Sequence, residues 1–172
     1  MIAGRVSNAR FAARRLRLPG ALRVLCALCL LALCAGMAPA TAAIPDGDLD
    51  LAALRGKVVY VDFWASWCAP CRRSFPWMDE MQRQFGPDGL VIIAVNVDQD
   101  RADARQFLQQ YSPSFAVRFD PEGALAERFK VAGMPTSFLI DRDGRVSLRH
   151  AGFRVADRET LEQQIQTLLA TH

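Results

Sequence analysis

Two cysteines three positions apart, Cys68 and Cys71, offer the chemistry most directly legible in this chain. A Cys-x-x-Cys pair can pass between dithiol and disulfide through a mixed disulfide with another molecule. The thiolate is the attacking species, and a free cysteine thiol has a pKa near ~8.5. The pair follows the apolar run Lys57–Trp64 and opens a stretch of helical spacing from Ala69. Cys68 is therefore expected at a helix N-terminus, where unpaired N–H groups and the helix dipole favour negative charge. Such settings lower a cysteine pKa to roughly 3.5–7.5. Cys71, one turn on, lies within side-chain reach and deeper. Cys68 is expected to attack a disulfide or be attacked, and Cys71 to resolve the mixed disulfide from within. Pro70 fixes the dipeptide geometry and helps to begin the helix.

Other readings of the pair are weaker. Zinc wants four ligands, commonly two such pairs or cysteine with histidine. Beyond the leader discussed below there is no further cysteine, and His150 and His172 lie far along the chain. A structural disulfide suits an exported domain, but a bridge across two residues closes a very small loop and stabilises little. Asp62 is the second candidate, because it interrupts a strand-like run of Val58, Val59, Tyr60, Val61, Phe63 and Trp64. An unpaired buried carboxylate tends to stay protonated. Asp62 is either a proton acceptor for Cys71 or a hydrogen-bonded acid with no role in the chemistry. Trp67 is expected to shield the pair and contact partners, whereas Trp64 and Trp77 read as packing residues. Arg72 and Arg73 either add positive potential near Cys68 or form a solvated helix face.

The elements that must hold these residues follow from periodicity and punctuation. Lys57–Trp64 and Leu90–Val97 read as strands buried on both faces. Ala69 to about Phe85 reads as a helix kinked at Pro76. Arg101–Tyr111 reads as a helix, Phe115–Phe119 as a short strand and Glu122–Phe129 as a short helix. Thr136–Ile140 and Arg145–His150 read as a hairpin across Asp141-Arg142-Asp143-Gly144. Asp157 is expected to cap a last helix that buries Leu161, Ile165, Leu168 and Leu169. This order predicts an α/β fold with a mixed sheet, parallel pairs first and one antiparallel pair at the end.

Residues 1–43 read as a signal peptide. Six arginines and no acid precede an apolar stretch from Val24 to Ala35, and small residues follow at 38–43. This is the pattern of a cleaved leader; left uncleaved, it would anchor the chain to a membrane. Residues 44–172 then form one domain. The whole chain carries 21 basic and 18 acidic side chains, a net charge of +3. Without the six leader arginines the balance becomes 15 to 18, a net charge of −3. The basic character therefore belongs to the leader and gives no argument for nucleic-acid binding. Cys26, Cys29 and Cys34 leave with the leader, so Cys68 and Cys71 become the sole thiol pair of the remainder.

Val-Asp-Phe-Trp-Ala-Ser-Trp-Cys-Ala-Pro-Cys, with Pro76 five residues beyond, closely resembles the active-site strand and helix of the thioredoxin superfamily. Gly133-Met134-Pro135-Thr136, ahead of the strand Ser137-Phe138-Leu139-Ile140, is similar to its second hallmark. The resemblance implies a thioredoxin-like fold, with a central mixed β-sheet flanked by helices. It implies a cis Pro135 against the disulfide, and a client chain received by Trp67, Met134 and Pro135. It implies no cofactor and no metal. The extra helix and strand between Val97 and Gly133, with the Pro-Thr-Ser-Phe-Leu-Ile-Asp-x-Asp-Gly run, resemble the TlpA/ResA-like exported branch. Ser74 stands where many of that branch carry Glu. Ile93-Ala94-Val95-Asn96 lacks the lysine that thioredoxin holds near its buried acid, and Ala69-Pro70 lacks the histidine of strongly oxidising relatives.

The expected function is an exported, periplasmic or membrane-tethered thiol–disulfide oxidoreductase that reduces protein disulfides. Its electrons would come from a membrane dithiol donor, since a periplasm holds no buffering thiol pool. A specialised reductant for cytochrome c maturation or metalloprotein assembly is the alternative. A disulfide-forming oxidant and a redox-inert binding module rank lower. So does a peroxidase, because Ala65 and Val61 stand where peroxiredoxins have Thr and Pro.

Overall fold

The computed structural model describes residues 49–171. The leader expected at 1–43 and its three cysteines lie outside the described residues. Seven consecutive buried residues form β1 (Val58–Trp64). A strand excluded from water on both faces must find hydrogen-bond partners along both edges. β1 does so by pairing in parallel with β2 (Leu90–Asn96) and antiparallel with β4 (Thr136–Ile140). β3 (Ala116–Phe119) extends the sheet beyond β2, and β5 (Val146–Ala151) closes the hairpin with β4. The order is β3-β2-β1-β4-β5. β3 is thus a four-residue edge, and β5 is a largely exposed one.

The sheet holds two antiparallel pairs where the sequence predicts one. The helix before β4, α3 (Ala124–Arg128), has five residues and advances the chain only about 7.5 Å. With the loops at 120–123 and 129–135, this segment leaves the chain at the end of β1 rather than at its start. β4 therefore enters beside the end of β1, with Thr136 paired to Phe63, and runs backwards. α3 also starts later than the expected Glu122. The Asp120 carboxylate accepts the N–H groups of Leu125 at 3.1 Å and Ala126 at 2.9 Å, which fixes the first turn there.

α1 (Ala69–Phe85) runs through Pro76, and α2 (Arg101–Tyr111) and α4 (Arg158–Ala170) follow the expected periodicity. Asp157 does not cap α4 with its side chain. Its carboxylate accepts the Arg154 N–H at 2.9 Å, closing the 3-10 turn Val155–Asp157 that leads into the helix. The segment ahead of β1 contains a short 3-10 turn at Ala52–Leu54.

Alternation along β1 sorts the core into two layers. Val58, Tyr60 and Trp64 join Cys71, Phe75, Trp77 and Met78 of α1, Phe107 of α2, and Leu161 and Ile165 of α4. Val59, Val61 and Phe63 join Ile93, Val95, Leu125, Phe138 and Ile140 on the other face. Phe75 is the hub of the first layer, with ring centroids 4.7 Å from Trp64, 4.8 Å from Phe107 and 5.4 Å from Phe115. Phe75→Ala removes a fully buried ring and leaves a cavity. It should cost about 3–5 kcal/mol of stability, read as a lowered midpoint in denaturant unfolding.

Candidate active site

The site begins where β1 runs out. The chain turns sharply after Trp64, and Cys68 N–H donates to Ala65 O at 3.1 Å. Asp98, buried just beyond β2, holds this turn. Its carboxylate accepts Ser66 N–H at 2.9 Å, Ser66 Oγ–H at 3.2 Å and Asn96 Nδ2 at 2.8 Å. The Ser66 carbonyl in turn accepts Arg72 Nη2 at 2.9 Å, and the Arg72 guanidinium lies over the Phe107 ring at 5.7 Å. Arg72 is thus tied beside the cysteines, whereas Arg73 is exposed. Trp67, held between these anchors, is 70% exposed. It borders a groove of about 250 Å³ that Asp103, Gln106 and Gln110 of α2 line on the far side.

Cys68 occupies the N-cap of α1 with extended backbone, and its Sγ accepts the Cys71 N–H at 3.3 Å. A sulfur in this position receives both an N–H and the positive end of the helix, the arrangement that favours a thiolate once the pair is reduced. Cys68 and Cys71 are disulfide-bonded, with Cα atoms 5.3 Å apart. Cys68 keeps a trace of exposure and Cys71 has none. Pro70 lies in the first turn, where a backbone N–H would have no helical partner. Ser74, buried one turn on, donates its Oγ–H to Cys71 O at 3.1 Å.

The second hallmark arrives at the same end of the sheet, because Thr136 pairs with Phe63. The Met134–Pro135 peptide is cis. Thr136 Oγ1 donates to Gly133 O at 2.7 Å, and Gly152 N–H donates to Pro135 O at 2.8 Å. Among the described residues no backbone group pairs with Met134 N–H or C=O. Pro135 is buried and Met134 half-buried.

Asp62 shares the face of β1 that carries Tyr60 and Trp64. The Tyr60 ring meets Trp77 at 5.7 Å and the Trp64 ring meets Phe75 at 4.7 Å, so Asp62 is bracketed beneath the early turns of α1. It is 1% exposed. Ser137 Oγ–H donates to Asp62 Oδ1 at 2.6 Å, while Oδ2 has no hydrogen-bond partner among the described residues. Burial pushes the Asp62 carboxyl up to about 7, and the Ser137 hydrogen bond pulls against that rise. Among the described residues no cation contributes, in keeping with Ile93-Ala94-Val95-Asn96 on β2. Burial, helped by the Asp62 charge, also pushes the Tyr60 phenol well above its usual range.

The structure thus gathers Cys68, Cys71, Pro70, Trp67, Met134, Pro135 and Asp62 around one end of the sheet. Asp98, Ser66, Ser137 and Tyr60 are additions. Only Asp98 left a trace in the sequence, as an acid directly after an apolar strand; the others depend on cross-strand register. Among the described residues no group of three or more His, Cys, Asp and Glu side chains could hold a metal ion. No helix among them is long and apolar enough to cross a membrane.

Known proteins share this arrangement. The Redoxin family model matches residues 36–165. Thiol-disulfide oxidoreductase ResA of Bacillus thuringiensis subsp. konkukian is 33% identical over 120 residues, 70% of this chain and 68% of the relative. A crystal structure from Chlorobium tepidum, assigned as a thiol:disulfide interchange protein DsbE, is 54% identical with a TM-score of 0.68, covering 70% of this chain and 85% of that one. The exposed lipoprotein thioredoxin of Streptococcus pneumoniae TIGR4 is 33% identical with a TM-score of 0.60, covering 69% and 90%. With a five-stranded mixed sheet and a Cys68–Cys71 disulfide at a helix N-terminus, this chain belongs to the Redoxin family and is a thiol–disulfide oxidoreductase of the TlpA/ResA-like thioredoxin branch.

Proposed function

We propose that this oxidoreductase works as an exported reductant of protein disulfides, with residues 1–43 as its signal peptide or membrane tether and 44–172 as its catalytic domain. The observation that carries the reading is the asymmetry of the dithiol: Cys68 caps a helix and keeps the pair's one trace of exposure, and Cys71 is fully buried. In the reduced protein the Cys68 thiolate attacks a client disulfide. One client sulfur leaves as thiolate and the other stays bonded to Cys68 Sγ. Cys71 then attacks Cys68 Sγ, so the client is released as a dithiol and the Cys68–Cys71 disulfide forms. Asp62 accepts the Cys71 proton in this second step. Trp67, Met134 and Pro135 receive the client chain, whose backbone pairs with the free groups of Met134 in a short strand addition. A membrane dithiol donor returns the two electrons.

The absence of histidine between the cysteines favours reduction over oxidation. A dedicated role in cytochrome c or metalloprotein assembly is a narrower version of this reading. Ser74 weighs against it, because its hydroxyl is spent on the Cys71 carbonyl where that branch often has an acid.

Cys71→Ser should accumulate client proteins covalently on Cys68 in cells, resolved by non-reducing electrophoresis, while Cys68→Ser should abolish insulin-disulfide reduction. Retained activity in Cys68→Ser would overturn the assignment of the attacking sulfur. The direction of electron flow is read from the reduction potential, and a value near ~−120 mV, that of a strong oxidant, is incompatible with a reductant.

Asp62 also makes a stability prediction with a definite sign. An unfolded Asp62 ionises near its ordinary value of 3.8, whereas the folded one holds its proton to about 7. Between those values the folded state binds more protons, so stability falls as pH rises from about 4 to about 7 and then levels. Asp62→Asn should remove that fall. Its advantage over wild type should grow across this window to at most about 4 kcal/mol, measured by urea unfolding at several pH values.

A further inference from the structure

We propose that Ser137 is a positioning residue for the proton-transfer step: its hydroxyl occupies Oδ1 of Asp62 and thereby makes Oδ2 the oxygen that exchanges a proton with Cys71. The proposal rests on the reading of Asp62 as the Cys71 proton acceptor and adds the group that orients it. Ser137 and Asp62 are direct partners in the antiparallel β1–β4 register. Their side chains meet at 2.6 Å, within the range of a hydroxyl bonded to a carboxylate. Ser137 has a single hydroxyl proton, and Asp62 Oδ1 takes it.

Asp62 Oδ2 is buried and without a partner among the described residues. With Oδ1 already accepting the Ser137 hydroxyl, the unpartnered Oδ2 is the more basic of the two oxygens and the one that takes the proton. The other groups on this face leave the assignment undisturbed. β1 contributes Tyr60, α1 contributes Cys68 and Cys71, β2 opposes Asp62 with Ala94, and α4 contributes Leu161 and Ile165. Among the described residues no lysine, arginine, histidine or second carboxylate is a cause of the Asp62 shift, so Ser137 does the orienting that a cationic neighbour would otherwise do.

In the resolving step the Cys71 S–H bond breaks and its proton passes to Asp62 Oδ2. The Cys71 sulfur bonds to Cys68 Sγ, and the client sulfur leaves with the electron pair of the broken S–S bond. When the donor reduces the protein, the same oxygen returns the proton to Cys71. Only ionised Asp62 can accept, so the resolving rate should rise with pH through the Asp62 midpoint. A hydrogen bond to the ionised form lowers that midpoint.

Ser137→Val removes the hydroxyl, and Ser137→Thr keeps it in the same branched shape. The Val variant should move the rising limb of the pH profile, and the carbon NMR titration of the Asp62 carboxyl, up by about one pH unit. Its resolving rate should fall about tenfold below the midpoint and not at all well above it. Ser137→Thr should restore the wild-type midpoint, and Ser137→Ala should repeat the shift if the Val protein does not fold. Asp62→Asn should abolish the limb. A limb that survives Asp62→Asn would remove the proton-acceptor reading itself. A limb lost in Asp62→Asn but unmoved in Ser137→Val and Ser137→Ala would overturn only the role of Ser137. A rate lowered equally at every pH, with no change of midpoint, would also overturn it and mark Ser137 as structural.

Discussion

Seven residues in succession on β1 are removed from water, and the consequences reach every part of the site. A strand so placed cannot leave a backbone group unpaired along either edge. It therefore recruits β2 on one side and β4 on the other, and their registers fix what lies beside its end. The parallel partner ends at Asn96 and delivers Asp98, which ties down the turn before Cys68. The antiparallel partner starts there and delivers Pro135. Two halves of the site separated by more than sixty residues are thus brought together by the hydrogen-bonding needs of one strand.

The same strand sets the electrostatic character of the site. Asp62 sits among aromatic rings, where burial favours its protonated form and a single hydroxyl opposes burial. The dithiol above it experiences the reverse. Cys68 receives a backbone N–H and a helix terminus, both of which favour negative charge. The sulfur at the helix terminus is therefore prepared to be an anion, and the buried acid is prepared to be neutral. Two groups with opposed preferences suit a reaction that forms a thiolate at one sulfur and removes a proton from the other.

Much of this was legible before any coordinates. β1, α1, β2, α2 and the hairpin follow from patterns of apolar residues, and Cys68, Cys71 and Asp62 from their spacing around those patterns, whereas Met134 and Pro135 are implied by the family resemblance. What escaped depended on long-range pairing. The direction of β4 relative to β1 depends on where the whole segment after β3 leaves the chain, which no local pattern records. Ser137 gains meaning only once the register sets it opposite Asp62. Asp157 read as a helix cap because of its position before a periodic stretch, yet its carboxylate turned back to Arg154, where a 3-10 turn offered a nearer N–H. Local chemistry is written in local sequence; which of two nearby donors an acid selects is decided by backbone geometry that spacing does not encode.

The edges of the sheet bear on a different property, namely where a foreign chain can add itself. An exposed strand edge is a template for any extended polypeptide, and a protein that meets disulfide-bonded clients is surrounded by such chains. β3 limits its exposure by being only four residues long. β5 carries Arg149 and His150 along its length, and Arg149 is folded over the Phe138 ring with its guanidinium bonded to Lys130 O. Both rims are poor templates, one through brevity and one through charge. The free backbone of Met134 then stands out as an inviting place for strand addition, a few residues from a disulfide that can act on what arrives.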